Sequence, residues 1–149
     1  MRGISFTIAN HNNILYQILK CIDIKKYIWY TIENQNESWK NTPENDLFDS
    51  CYYDGEKFLE CIKSNHFVIF LKMQAYFKNG KFFDIHTYDD FKKSDCQLIL
   101  LVYDCSYVEI YSKCHNDITA IYNNVLKNNY LDIKFITDNN DTRKTFDIL

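Results

Sequence analysis

Glycine and proline are nearly missing from this chain, with three Gly and one Pro in 149 residues. Gly3, Gly55 and Gly80 stand alone. No glycine-rich loop can therefore cradle a phosphate in a known form, which removes P-loop NTPases and Rossmann dehydrogenases. No serine sits in a G-x-S-x-G elbow, so that hydrolase signature is missing too. Arginine is almost as scarce. Arg2 and Arg143 are the only two guanidinium groups among 17 basic residues, set against 20 acids, and the net charge is −3. Nucleic-acid binders show a basic face and use Arg for bidentate contacts, so nucleic acid is not an expected partner. The heavy use of Lys, Asn, Ile and Tyr follows AT-rich codons and speaks of the genome rather than of function.

Long hydrophobic runs are also lacking. The longest purely aliphatic stretch, Leu98-Ile99-Leu100-Leu101-Val102, is five residues, far too short to cross a membrane. No apolar leader follows Met1. The six cysteines (21, 51, 61, 96, 105 and 114) are widely spaced, with no C-x-x-C. That pattern is expected of reduced thiols in a cytosol, packed as small hydrophobes. The sequons at Asn36 and Asn140 have no meaning in that compartment. A length of 149 residues predicts one globular domain, 1–149, able to bury a core without staples. There is no repeat, linker or low-complexity tract.

Aromatics are abundant instead: 12 Tyr, 11 Phe and 2 Trp, 17% of the chain. Such side chains suit pleated surfaces, and Tyr and Trp also anchor interfaces. The aliphatic run at 98–102 has no polar alternation and predicts a strand buried on both faces. Asp104-Cys105-Ser106 supplies turn chemistry. Tyr107 to Tyr111 then alternates, and the two halves form a central hairpin.

The rest of the chain is expected to pack on that hairpin. Gly3 to Ile8 alternates as a first strand. After Asn10–Asn13, Ile14, Leu15, Ile18, Leu19 and Ile22 make a helical stripe. Tyr27 to Ile32 reads as a second strand. From Glu33 to Tyr53 the periodicity dissolves for about twenty residues, long for a compact domain, which either run over the surface or hide a short strand. Asp54-Gly55 opens a helix with Phe58, Leu59 and Ile62 inward. His66 to Phe77 is a strand, and Asn79-Gly80 is the strongest hairpin signal, with Lys81 to Ile85 as the returning partner. Tyr88 to Ser94 is a polar connection or a single helical turn. Asn116 or Asp117 caps a helix carrying Ile118, Ile121, Tyr122, Val125 and Leu126 at i, i+3, i+4, i+7 and i+8. Leu131 to Thr137 is a late strand, and Thr142 to Leu149 a short edge strand or a frayed end. The order β-α-β-α-β-β-β-β-α-β predicts an α+β domain: one mixed, mostly antiparallel sheet carrying about three helices.

Met1-Arg2-Gly3-Ile4-Ser5-Phe6, the Leu15-x-x-Ile18-Leu19 helix, Ile22-Asp23-Ile24, and then Tyr27 and Trp29 resemble a family of small uncharacterised proteins of low-GC Gram-positive bacteria, a domain of unknown function. The resemblance covers roughly the first thirty residues. It implies a single-domain bacterial cytosolic protein and transfers no catalytic residue.

Three groupings offer chemistry. Asp84-x-His86 places two side chains on one face of a strand end, with Asp89-Asp90 behind, but two ligands do not make a metal site. Asp89-Asp90 more simply caps a turn. Cys114-His115, with Cys105 nearby, offers a thiol and an imidazole, yet neighbours on a strand point to opposite faces. The third grouping is the acidic, aromatic stretch of the long loop. Trp39, Asp46, Phe48, Asp49, Tyr52 and Tyr53 are its predicted partner-binding residues, on which charge would steer encounter and aromatics anchor it.

The expectation is a non-enzymatic cytosolic interaction protein, of immunity or antitoxin type, that takes a basic protein partner on this surface. No cofactor and no metal are expected. The alternatives are a small-ligand binder or hydrolase with a pocket near Asp84, His86 and His115, and a nucleotide pocket in which Tyr and Trp stack on a base. A homodimer through the Lys81–Ile85 edge is a further option, against which Lys81 acts as a guard.

Overall fold

The computed structural model describes residues 1–149. Its strands are β1 (Gly3–Thr7), β2 (Ile28–Lys40), β3 (Tyr52–Tyr53), β4 (His66–Tyr76), β5 (Cys96–Tyr103), β6 (Tyr107–Ser112) and β7 (Leu131–Ile136). Its helices are α1 (Ile14–Leu19), α2 (Gly55–Lys63), α3 (Tyr88–Lys93) and α4 (His115–Lys127), with a 3-10 turn at Ile24–Lys26. The strands form one sheet in the order β3-β2-β4-β5-β6-β1-β7. The expected α+β class holds, with two refinements. Every strand pair is antiparallel, so the sheet is not mixed. There are four α-helices rather than three, because Tyr88 to Lys93 is helical, capped by the Thr87 hydroxyl, which accepts from Asp90 N–H.

The β5–β6 hairpin sits in the middle as expected. Leu100 faces Ile110 and Val102 faces Val108. Asp104 and Cys105 both take positive φ, and Ser106 N–H donates to Tyr103 O, which is a type I′ turn matched to the twist of the strands. The absence of polar alternation in β5 has a direct cause. Leu98, Leu100 and Val102 face one core while Ile99 and Leu101 face another.

The larger core lies under helices. Ile14, Leu15 and Ile18 of α1, Phe58 and Ile62 of α2, and Ile118, Ile121 and Val125 of α4 cover Ile4, Phe6, Leu71, Met73 and Ile110 of the sheet. Trp29 is fully buried there, stacked on Phe58 at 4.4 Å, its indole N–H donating to Ile24 O. Each such side chain contributes roughly 1.5–3 kcal/mol on leaving water. Asp54 caps α2 by accepting from Lys57 N–H at 2.8 Å. Gly55 is required because a Cβ would lie 2.5 Å from Lys25 Cα. The predicted stripe of α4 misses at its end, where Leu126 is exposed. The first turn instead buries Asp117, which accepts from Tyr27 Oη at 2.7 Å and lies 3.5 Å from Lys26 Nζ.

The opposite face is covered mainly by two lengths of coil, here called straps, with α3 beside them. Ile85, Phe91 and Phe146 pack on Tyr76, Ile99, Leu101 and Tyr111. The expected hairpin at Asn79-Gly80 does not form. A turn closes there, Gly80 N–H to Phe77 O, but no residue from Lys81 to Ile85 is a strand. The chain leaves the sheet plane and crosses the face of β4. Coil on a sheet face has unpaired main-chain groups that need partners. Alternate side chains of β4 supply them: Tyr76 Oη and Gln74 Nε2 donate to Phe83 O, Ile85 N–H donates to Gln74 Oε1, and Lys72 Nζ donates to Ile85 O. This explains the weak alternation after Leu71, since Lys72 and Gln74 point inward. Residues 142–148 form the second strap rather than an edge strand, joined to the first by Phe146 N–H donating to His86 O at 2.8 Å.

The lost periodicity after Ile32 also has a cause. Thr31 pairs with Met73 and Asn36 with Leu71, so β2 spends three extra residues opposite Lys72. Asn34 takes φ 65° in this bulge. Beyond it, β2 runs on to Lys40, much further than predicted. No helix is long and apolar enough to cross a membrane.

Candidate functional site

Two of the predicted groupings gain geometry. The first gathers at the straps. Lys72, at the middle of β4, is 0% exposed. Its ammonium donates to Asp84 Oδ1 at 2.9 Å, Asp147 Oδ1 at 2.8 Å and Ile85 O at 2.6 Å. All three donor positions are used, which is what a buried ammonium requires. The second oxygens of the two carboxylates turn toward His86. Its Nδ1 lies 2.9 Å from Asp147 Oδ2 and its Nε2 3.6 Å from Asp84 Oδ2. Burial pushes the Asp147 carboxyl up, but hydrogen bonds from Lys72 and His86 outweigh this and hold it below the usual carboxylate range.

Asp84 and His86 thus meet, as their spacing implied. Asp147, from the far end of the chain, and Lys72 complete the group, and neither was visible as a member from sequence. Ligand atoms of Asp84, His86 and Asp147 lie within 4.8 Å of one another. The imidazole shares a hydrogen bond with Asp147 through Nδ1, while Nε2 stands beyond hydrogen-bond distance of Asp84. Asp89 and Asp90 stay apart, in the first turn of α3, where negative charge suits the helix dipole. An open depression of about 350 Å³ beside the cluster is lined by Phe83, Asp84, Ile85, Asp90, Lys93 and Ser94. His115 is not part of it. It is exposed at the start of α4, whose apolar side packs on the opposite face of the sheet. Cys114 occupies the cap position of α4, its N–H donating to Ser112 Oγ. The six cysteines are unpaired, and burial pushes the Cys61 thiol up to about 11, away from nucleophilic character.

The second grouping is the loop after β2. It closes the outer edge of the sheet. Lys40 N–H donates to Asn45 O, Leu47 N–H to Ser38 O and Thr31 N–H to Cys51 O, and β3 pairs with Trp29 and Tyr30. Leu47, Phe48 and Tyr53 are buried. Phe48 packs edge-on to Tyr53 at 5.7 Å. Tyr53 Oη donates to Asp49 Oδ1 at 2.6 Å and accepts from Asp49 N–H at 2.9 Å. Trp39, half-buried, stacks on Phe67 at 4.9 Å. Of the six predicted contact residues, Phe48 and Tyr53 face the core, Trp39 lies flat against the strand, and Asp46, Asp49 and Tyr52 face outward. Tyr52 is 52% exposed and meets Tyr30 edge-on at 5.4 Å.

An antiparallel sheet with helices on one face and paired coil straps on the other defines a small single-domain α+β protein. The chain belongs to the family described as Protein of unknown function (DUF2691), whose pattern matches residues 1–147. The resemblance at the N-terminus therefore extends over nearly the whole chain. A Bacillus subtilis (strain 168) relative, described as "Uncharacterized protein YncE", is 38% identical over 155 residues, covering 99% of each chain. No solved structure matches.

Proposed function

We propose that the protein is a non-enzymatic cytosolic interaction protein that receives a basic protein partner on the loop between β2 and α2, as an immunity or antitoxin protein does. One observation carries this reading. Between residues 41 and 56 there are five acids, Glu44, Asp46, Asp49, Asp54 and Glu56, and no Lys or Arg. The same segment is held down by buried Leu47, Phe48 and Tyr53. A surface of one charge that is already ordered loses little entropy on binding. Its field speeds encounter with a basic partner, and exposed Tyr52 is the anchor. Trp39, Phe48 and Tyr53 then act by holding the loop rather than by contact. The unpaired thiols agree with a reducing compartment.

The test is affinity capture of tagged protein from native lysate with mass spectrometry, comparing the parent with Asp46→Lys/Asp49→Lys and with Tyr52→Ala. A stoichiometric basic protein should be recovered by the parent, weakened by added salt, and lost with either variant. Undiminished capture by both variants, or no stoichiometric protein at all, overturns the reading.

The convergence of Asp84, His86 and Asp147 favours a second reading, a small-ligand or hydrolytic site at the straps. It ranks lower because Lys72 already engages one oxygen of each carboxylate. A metabolite or metal extracted from the parent and missing from His86→Ala would move it to first place.

A further inference from the structure

Side-chain amides gather at one place away from both groupings. A depression of about 410 Å³ opens beside α1, within the roughly 300–1,000 Å³ usual for small-molecule sites. Three parts of the chain wall it: the β1–α1 loop running into α1, the turn between α2 and β4, and the segment from Asn128 to Tyr130 that joins α4 to β7. The lining is five Asn, Gln17 and Tyr130, with no Asp, Glu, Lys, Arg or His. The walls are tied together. Asn13 Oδ1 accepts from His66 N–H at 3.1 Å, and Asn124 Nδ2 donates to Gln17 O and Ile18 O at 2.7 and 3.2 Å. A site already held in shape loses little entropy on binding.

Four of these amides are oriented by partners whose role is unambiguous. A main-chain N–H can only donate, so Asn10 turns its oxygen to Asn12 N–H at 3.0 Å and Asn13 turns its oxygen to His66 N–H. An ammonium can only donate, so Gln17 turns its oxygen to Lys20 Nζ at 2.8 Å. Three oxygens are thus engaged, and three amino groups are left to serve a ligand. Asn128 is the reverse. Its Nδ2 donates to Asn124 O at 2.7 Å and to Asn124 Oδ1 at 3.1 Å, which leaves its oxygen as an acceptor. Tyr130 adds a hydroxyl, on a ring held edge-on to Phe6 at 5.4 Å. Burial alone pushes the pKa of that phenol up, with no charged neighbour acting on it.

We propose that this depression binds a neutral polyhydroxylated ligand, a mono- or disaccharide, with Asn10, Asn13 and Gln17 donating to its oxygens and Asn128 Oδ1 accepting from one of its hydroxyls. An ion fits poorly, because leaving water without a counter-charge is costly. An apolar ligand fits poorly too, because it strips water from the amides and returns no hydrogen bond. A hydroxyl both donates and accepts, so a sugar can meet either end of an amide. The depression shares no residue with the acidic stretch of 41–56, so a change made in it leaves the proposed partner surface intact. The competing role of the same amides is a solvated polar surface.

Amide NMR on the isotope-labelled full chain decides between them, with glucose, ribose and maltose as neutral probes and glucuronate as the anionic comparison. At least one neutral sugar should give saturable shifts of the side-chain amino signals of Asn10, Asn13 and Gln17, and glucuronate should bind more weakly than glucose. Two variants test the assignment. Gln17→Glu keeps an oxygen for Lys20 and removes the donor. Tyr130→Phe keeps the ring and removes the hydroxyl. Each should weaken sugar binding about two- to tenfold, the loss of one hydrogen bond, while the main-chain amide spectrum stays that of the parent. No saturable shift with any of the three sugars overturns the proposal and leaves the amides as solvated surface. Sugar binding that either variant leaves unchanged, or glucuronate binding tighter than glucose, also overturns it, because another surface or a charged group is then responsible.

Discussion

Replacing Lys72 by Met tests the account of the strap face most directly. The substitution keeps the length and apolar stem of the side chain and removes the ammonium. Three hydrogen bonds disappear, to Asp84, Asp147 and Ile85, and two carboxylates lose their shared counter-charge. Deleting one partner of a fully buried ion pair costs about 3–5 kcal/mol. Here the Asp84 and Asp147 side chains are each about a third exposed. Water and the remaining imidazole recover part of that, so the expected loss is about 2–3 kcal/mol. For a chain of this size that is a fall in Tm of about 4–12 °C. Urea denaturation followed by circular dichroism measures the free energy. Hydrogen exchange locates it, because Phe146 N–H, bonded to His86 O across the two straps, should exchange faster in the variant while β5 amides keep their protection. Adding Asp84→Asn and Asp147→Asn to Lys72→Met removes the uncompensated charge and should restore most of the loss. A single variant within about 1 kcal/mol of the parent, below even the usual worth of charged hydrogen bonds, would refute the view that Lys72 clamps the straps.

His66 carries a pH dependence of definite sign. Its Nδ1 faces Ser64 O at 2.8 Å and its Nε2 accepts from Leu15 N–H at 3.2 Å, so the ring caps α1 in neutral form. Burial lowers its pKa against a small opposing hydrogen bond. The unfolded chain takes up the proton first, near pH 6.5. Stability from this group is therefore complete above that pH and falls as pH drops below it, by at most about 1.4 kcal/mol per pH unit. Denaturation at a series of pH values should show the slope in the parent and a flatter profile in His66→Gln. Ser5 Oγ is buried without a partner, so Ser5→Ala should leave stability unchanged or raise it by up to about 1 kcal/mol; a marked loss in the same assay would reveal a hidden hydrogen bond.

What could be read in advance divides along a physical line. The β5–β6 hairpin, α2 and α4 were legible because their causes are local. An unbroken aliphatic run, a turn tripeptide, an Asp-Gly start and a stripe at helical spacing each specify structure within a dozen residues. The bulge in β2 was not legible, because its three extra residues make sense only opposite Lys72. The fate of Lys81 to Ile85 is not encoded locally, for a similar reason. Asn79-Gly80 does turn the chain, but Gln74, Tyr76 and Lys72 decide that the returning segment crosses a face instead of pairing at an edge. Those three side chains look like ordinary strand residues until the main chain they bind lies over them.

The same line runs through the candidate sites. The acidity of residues 41–56 and the Asp84-x-His86 spacing are properties of neighbours in sequence, and both were visible. That Phe48 and Tyr53 face inward while Tyr52 faces outward follows from β3 adding to the edge of β2, a pairing with no local signal in two residues. Asp147 reaches Lys72 across 75 positions in the chain, and no spacing rule spans that distance. Propensity, periodicity and charge act over short range, so the α+β class, the central hairpin and the charge of the loop are written into neighbouring residues. Which polar side chains a buried ammonium meets, and which strands stand at the sheet edges, depend instead on how distant segments share one surface.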